Sequence, residues 1–489
     1  MRSRSDAAVA TRSPVLAIAL VGIGALTWFA FSPGLINADT VDMLQQAVSG
    51  AYHDWHSPAM TRVLAVIGTI GPAASMMLLI ENAIFLLGLY LALSHLLSGT
   101  WMQLVAAGLL IFSPPIFATL TCVNKDALGL AFFVLGIGFY VRGLAPGPLL
   151  PRLAWMIPLL LATLVRPDYL AYVLAFGALW LWSTIRISDS SFLAMVGRVT
   201  VALLFACALT TAMFAAASVV NYQLLNVTRA YPLQATLLYD IAGVSYTQGE
   251  NRFPDWVKAQ GVTRESIRRQ YSPAAPDPLF WGEQPRIRFT RNPEDYRDLL
   301  SAWAGAVVSG PGAYLAHRAG IGKCLLSGCS DPHWKYQYET DRRFEGWLDY
   351  GNQGLDSPVL GKDARNGYLA WAAPLLVSNG LFYAAVLILA LGAAWALAIR
   401  GPAGAATSRL RMLGRVNVAL SCGALLNFMF MLLAAPASVF RYLTPTIFVA
   451  ILCLVVGCEL VRLRWRAPTA ADERAKADSA LAVQERKWN

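Results

Sequence analysis

The sequence predicts an all-α polytopic membrane protein of about ten transmembrane helices, with one partly helical loop domain on the side away from its termini. Three observations predict this class. Only 14% of the residues are charged and 56% are hydrophobic, whereas a soluble domain carries about 25% charged residues. Apolar runs close to the ~20 residues needed to cross a bilayer recur along the chain. Arginines collect in alternate gaps between those runs.

The runs fall at 14–32, 73–97, 101–121, 127–142, 153–166, 168–186, 195–219, 371–399, 416–435 and 440–461. The first is too long for a signal-peptide core and lacks a small-residue cleavage site, so it is expected to remain as a span. Orientation follows from the excess of Lys and Arg in short cytoplasmic loops. One set of gaps holds Arg2, Arg4, Arg12, Arg142, Arg152, Arg186 and Arg198, then Arg400, Arg409, Arg411, Arg415, Arg462, Arg464 and Arg466. The opposite short gaps hold only Lys125, Arg166 and Arg441. Both termini are then cytoplasmic, and ten spans close the count. The chain divides into a tail at 1–13, a membrane region at 14–219 with a first external loop at 33–58, an external loop domain at 220–370, a second membrane region at 371–463, and a tail at 464–489.

The net charge of +10 does not point to nucleic acid, because the arginines lie beside apolar runs and set topology instead. Cys207, Cys422, Cys453 and Cys458 lie within apolar runs as packing residues. Cys324 and Cys329 lie in the polar loop, and a local disulfide fits an oxidising compartment. The loop domain is longer than a connection requires, as functional loops are. Within it Asn292-Pro293-Glu294-Asp295 combines an N-cap, a proline at N1 and first-turn acids, so a helix starts there. Gly310-Pro311 ends that helix, and a second helical stretch follows.

Candidate site residues gather on the external side. Val41, Leu44 and Val48 share one face of a short amphipathic helix just beyond the first span. Asp39 and Asp42 stand at its start. Asp39 serves equally as N-cap or as a general base, and Asp42 reads as a first-turn acid favoured by the helix dipole. His53-Asp54-Trp55-His56 reads as an interfacial cluster anchored by Trp55, ahead of a metal site. Lys125 and Asp126 flank the external end of the fourth run. Arg166-Pro167-Asp168 breaks the fifth run from the sixth, and Arg441-Tyr442 opens the last. Cations that defy the positive-inside bias point either to anion binding or to pairing with nearby acids.

The order of these elements resembles the GT-C superfamily of membrane glycosyltransferases, which includes protein mannosyltransferases and lipid A aminoarabinose transferases. Asp39 matches the family's first-loop acid, and His56-Ser57-Pro58 is similar to its His-Pro element. Asp126 matches a second external acid, and Arg166-Pro167-Asp168 the Arg-containing break. Arg441-Tyr442-Leu443-Thr444-Pro445 is similar to the late Arg-Tyr element. Ser57 stands where the family has a first Pro, and the large loop follows the seventh run rather than the last. The resemblance implies a polyprenyl-phosphate sugar donor, a lipid, glycan or protein acceptor, a bacterial inner membrane and inversion at the sugar. It assigns Asp39 and Asp126 to catalysis, and Lys125, Arg166, Arg441, Tyr442 and His56 to substrate binding. Mg or Mn remains open as a cofactor. A lipid-sugar transporter or flippase, and a polysaccharide ligase or polymerase, are the competing readings.

Overall fold

The structure, a computed structural model, describes residues 13–144, 148–184, 191–327, 359–399, 406–437 and 439–466. Among these every regular element is helical, and β pairing is confined to two isolated bridges, Leu35 with Cys122 and His53 with Thr228.

Helix α1 (Pro14–Phe31) is capped by Ser13. Two short amphipathic helices follow, α2 (Ala38–Ser49) and α3 (Pro58–Gly68). Next come α4 (Ala73–Leu96), α5 (Thr100–Ile111), α6 (Pro114–Leu120) and α7 (Lys125–Gly143). They are followed by α8 (Leu149–Leu153), α9 (Met156–Val165), α10 (Leu170–Thr184) and α11 (Phe192–Val219). The polar segment folds into α12 (Leu233–Gln248), α13 (Asp255–Lys258), α14 (Arg264–Gln270), α15 (Asp277–Phe280), α16 (Pro293–Ser309) and α17 (Pro311–Ser327). The last helices are α18 (Lys362–Ala372), α19 (Gly380–Ile399), α20 (Ala406–Ala434) and α21 (Thr444–Arg466).

Six helices among the described residues are long and apolar enough to cross a membrane, or eight if each of two bent pairs is one span. One pair is α5 and α6, bent by 74°. The run at 101–121 reads as continuous in hydropathy, but Pro114 and Pro115 supply no amide donor and turn the chain. The other pair is α16 and α17, bent by 102° at Gly310-Pro311. As the sequence predicts, α16 starts behind Asn292, whose Oδ1 accepts from the Glu294 amide at 2.9 Å. The runs at 153–166 and 168–186 become the shorter α9 and α10, joined by one tight turn at Pro167–Tyr169.

The closest packing in the bundle joins α4 to α7. A Cβ on Gly88 would lie 2.4 Å from the Leu135 nitrogen, and one on Gly138 would lie 2.8 Å from the Gly88 carbonyl. Small residues are what allow helix backbones to meet without apolar side chains between them. A second core, including Leu238, Ile241, Phe253 and Leu299, sits within the polar segment. A third lies under α2 and α3, where Leu44, Met60 and Leu64 pack with Phe31, Met77 and Val123.

Successive long helices reverse direction, so their termini collect at two ends. At one end Ser98 donates to Glu459 at 2.5 Å, and Arg462 pairs with Glu459 at 3.2 Å. At the other end α2, the start of α7, the turn at 166–168 and the turn before α21 converge. The polar segment docks at this second end. Buried Arg318 donates to the Ala435 carbonyl at 2.8 Å and to Asp240 at 2.8 Å. Trp55 packs against Phe289 with centroids 4.4 Å apart and the rings tilted by 50°, so it joins the first loop to the polar segment. Cys324 is buried, and the position of Cys329 lies outside the described residues. Cys453 is buried as a packing residue, whereas Cys207 and Cys458 are exposed.

Candidate functional site

The first loop is hooked onto the α6–α7 junction by backbone pairing. The Leu35 amide donates to the Thr121 carbonyl at 3.1 Å, and the Val123 amide donates to the Leu35 carbonyl at 2.9 Å. Gly34 makes the approach feasible. Its φ is +106°, and a Cβ there would lie 2.4 Å from Val123 Cγ2. Thr40 Oγ1 adds a 2.5 Å bond to the Val123 carbonyl. The start of α2 is thereby fixed beside the start of α7.

The N-cap of α2 is Asn37, whose side chain accepts from the Thr40 amide at 3.0 Å. Asp39 is therefore not the cap, as the capping alternative supposed, and its carboxylate is free to face the bundle. Asp42 is not the first-turn acid the sequence suggests, because the helix starts at Ala38 and Asp39 occupies its first turn. It lies one turn beyond Asp39 and accepts from Gln46 Nε2 at 2.7 Å. Its other contacts are His56 Nε2 at 3.5 Å and His53 Nε2 at 3.8 Å. Val41 and Leu44 are buried as predicted, but Val48 is exposed.

The seven predicted site residues fall into one network. Asp39 Oδ2 is 3.2 Å from Lys125 Nζ and 3.3 Å from Arg441 Nη2. Lys125 Nζ also lies 2.8 Å from His56 Nδ1. Asp126 pairs with Arg166 Nη1 and lies 3.6 Å from Arg441 Nε. Arg166 grips Asp168 through two bonds of 2.9 and 3.0 Å. The guanidiniums of Arg166 and Arg441 lie 5.6 and 5.7 Å from the Tyr442 ring centroid, within cation–π range. Local sequence explains the convergence. Asn124 caps α7 and accepts from the Ala127 amide at 2.8 Å, which puts Lys125 and Asp126 in the first turn. Pro167 forces the turn that presents Arg166, and a short 3-10 turn presents Arg441 and Tyr442 ahead of α21.

Burial opposes ionisation of Asp39, but the charges of Lys125, Arg441 and His56 outweigh it and hold the carboxyl well below the usual carboxylate range. Two cations near 3 Å each bring gross Coulomb energy on the order of 4 kcal/mol at an effective dielectric of ~20. Burial, reinforced by neighbouring Lys125, pushes the His56 imidazole down from 6.5 to about 3, so it is neutral near pH 7. Within the network, Asp126 Oδ2 and Arg441 Nε and Nη1 are buried and make no hydrogen bond among the described residues. Unsatisfied buried donors and acceptors are costly. Lys125, Arg166 and Arg441 face Asp39, Asp126 and Asp168, so the three cations are balanced by three acids. The cations therefore pair with acids, which is one of the two sequence readings, while Arg441 Nη1 makes no hydrogen bond among the described residues.

Among the described residues no group of three or more His, Cys, Asp or Glu is arranged to hold a metal ion. Sequence reasoning missed the contact of Asp42 with the histidines. The three-residue spacing from Asp39, which places both acids on one helix face, was the available signal. Comparisons with protein-family models, curated proteins and solved structures find no match to this chain.

Proposed function

We propose that the chain is a membrane glycosyltransferase that moves a sugar from a polyprenyl-phosphate donor to an acceptor hydroxyl on a lipid, glycan or protein. The reading includes a GT-C-like fold of ten spans, cytoplasmic termini and the site on the opposite, extracytoplasmic side. The observation that supports it best is the shared hold of Lys125 and Arg441 on Asp39, with Arg441 keeping buried donors unused. A phosphate oxygen is the acceptor such donors lack.

In this reading the acceptor oxygen forms a bond to the anomeric carbon while the bond from that carbon to the phosphate oxygen breaks. The electron pair leaves with the phosphate, where Arg441 and Lys125 stabilise the growing charge. The acceptor proton passes to Asp39. Asp39 is a weak base while two cations hold it. Turning Arg441 toward the donor phosphate loosens that hold and raises its basicity, so donor binding prepares the base. Asp126, itself paired with Arg166, fixes the position of Arg441, and the Tyr442 ring lies within cation–π range of both guanidiniums.

A transport reading draws on Glu81, which is buried inside α4 with neither carboxylate oxygen hydrogen-bonded among the described residues. Buried acids within spans mark ion or proton pathways in transporters. The deciding experiment supplies purified protein with radiolabelled polyprenyl-phosphate sugars and a membrane extract, in detergent and in sealed vesicles. Label entering a new product supports transfer. Label crossing vesicles without a new product supports transport instead.

A further inference from the structure

The groove between α19 and α21 lies at the end of the bundle away from the Asp39 network. It encloses about 830 Å³. Val386, Leu389, Ala390 and Ala393 form one stripe of α19 facing it, and the stripe from Cys453 to Trp465 on α21 forms the other wall. The gap has a sequence cause. Ala390, Ala393, Cys453, Gly457 and Cys458 are all small, and a Cβ built on Gly457 meets nothing within 4 Å.

We infer that this groove binds one anionic phospholipid from the leaflet opposite the site. The twelve helical steps from Cys453 to Trp465 span about 18 Å at 1.5 Å per residue, close to the roughly 15 Å that one leaflet contributes to a ~30 Å hydrocarbon core. An acyl chain is the occupant that matches both that length and an apolar wall. The headgroup end is marked by two residues. Trp465 is 87% exposed, as suits an interfacial tryptophan. Arg462 lines the groove mouth with 31% of its side chain exposed. Glu459 at this end is fully buried and shared by Ser98, Arg409 and Arg462. Arg409 and Arg462 together exceed Glu459 by one positive charge, and a cationic excess at a groove between helices favours an anionic headgroup over a zwitterionic one. The inference does not depend on sugar transfer.

The test is native mass spectrometry of the full-length protein titrated separately with phosphatidylglycerol and phosphatidylcholine. Wild type is expected to bind phosphatidylglycerol more tightly. Arg462→Gln should weaken that binding roughly fivefold, the equivalent of about 1 kcal/mol per cation, and leave phosphatidylcholine unchanged. Gly457→Leu, which projects into open groove, should weaken both lipids about tenfold with an unaltered Tm. Equal affinity for the two lipids in wild type would overturn the headgroup assignment. Unchanged phosphatidylglycerol affinity in Gly457→Leu would overturn the groove as its site. Crosslinking of position 457 to residues 467–489, with no lipid retained, would identify the chain's own tail as the occupant and also overturn it.

Discussion

At the residue scale the balance of burial against charge decides what each group can do. Arg166 is nine-tenths buried and serves Asp126 and Asp168 together. Arg166→Ala would leave two buried carboxylates without that cation, and breaking a buried pair costs about 3–5 kcal/mol. A chemical or thermal unfolding comparison should show that loss, and a change below about 1 kcal/mol would contradict it. His56 carries a pH signature. The unfolded imidazole takes up a proton near 6.5 and the folded one only near 3. The unfolded state therefore binds more protons across that window, and stability falls as pH falls through it. Tm measured from pH 7 to pH 4 should drop less steeply in His56→Gln than in wild type. Parallel slopes would remove His56 as a source of the dependence. The identities of the charged residues were legible in the sequence because they were exceptions to the charge bias of their gaps. The pairing of Asp42 with His53 and His56 was not, since it depends on how the loop at 50–56 folds back over α2.

At the element scale, helix starts marked by proline and a capping side chain were readable. That of α16 falls at Pro293 behind Asn292, whereas α3, which starts at Pro58 behind Ser57, carries the same signal and went unread. The bend between α5 and α6 was not read, because hydropathy averages over Pro114 and Pro115 while backbone geometry does not. The hook of the first loop onto α7 also escaped the sequence, since it is made by main-chain groups of residues 35, 121 and 123. Gly34→Ala should disturb that hook through both its positive φ and the contact with Val123, at a cost of about 1 kcal/mol or more. Activity should fall further than stability, because Asp39 shifts away from Lys125. Equal, small losses in both would show that the hook does not position the site. Trp55→Ala removes the packing against Phe289, worth about 0.5–1.5 kcal/mol beyond burial. Limited proteolysis within 220–310 should then accelerate, and an unchanged digestion rate would contradict a docking role.

At the scale of the whole molecule, the apolar helices and the two-ended distribution of charge were the features the sequence displayed most plainly. The way five separated segments close one network was not visible in any local pattern. Asp39 and Arg441 are 402 positions apart, and only the packing of α2, α7, the turn at 166–168 and α21 brings them together. The central claim is that Asp39 accepts the acceptor proton while Arg441 and Lys125 receive the leaving phosphate. The most direct measurement is single-turnover sugar transfer by purified Asp39→Asn and wild-type protein, with donor affinity measured in parallel. The account predicts that the variant folds, binds donor at least as well and loses transfer by 100-fold or more, on the order of a missing general base. Transfer at the wild-type rate by Asp39→Asn would contradict it.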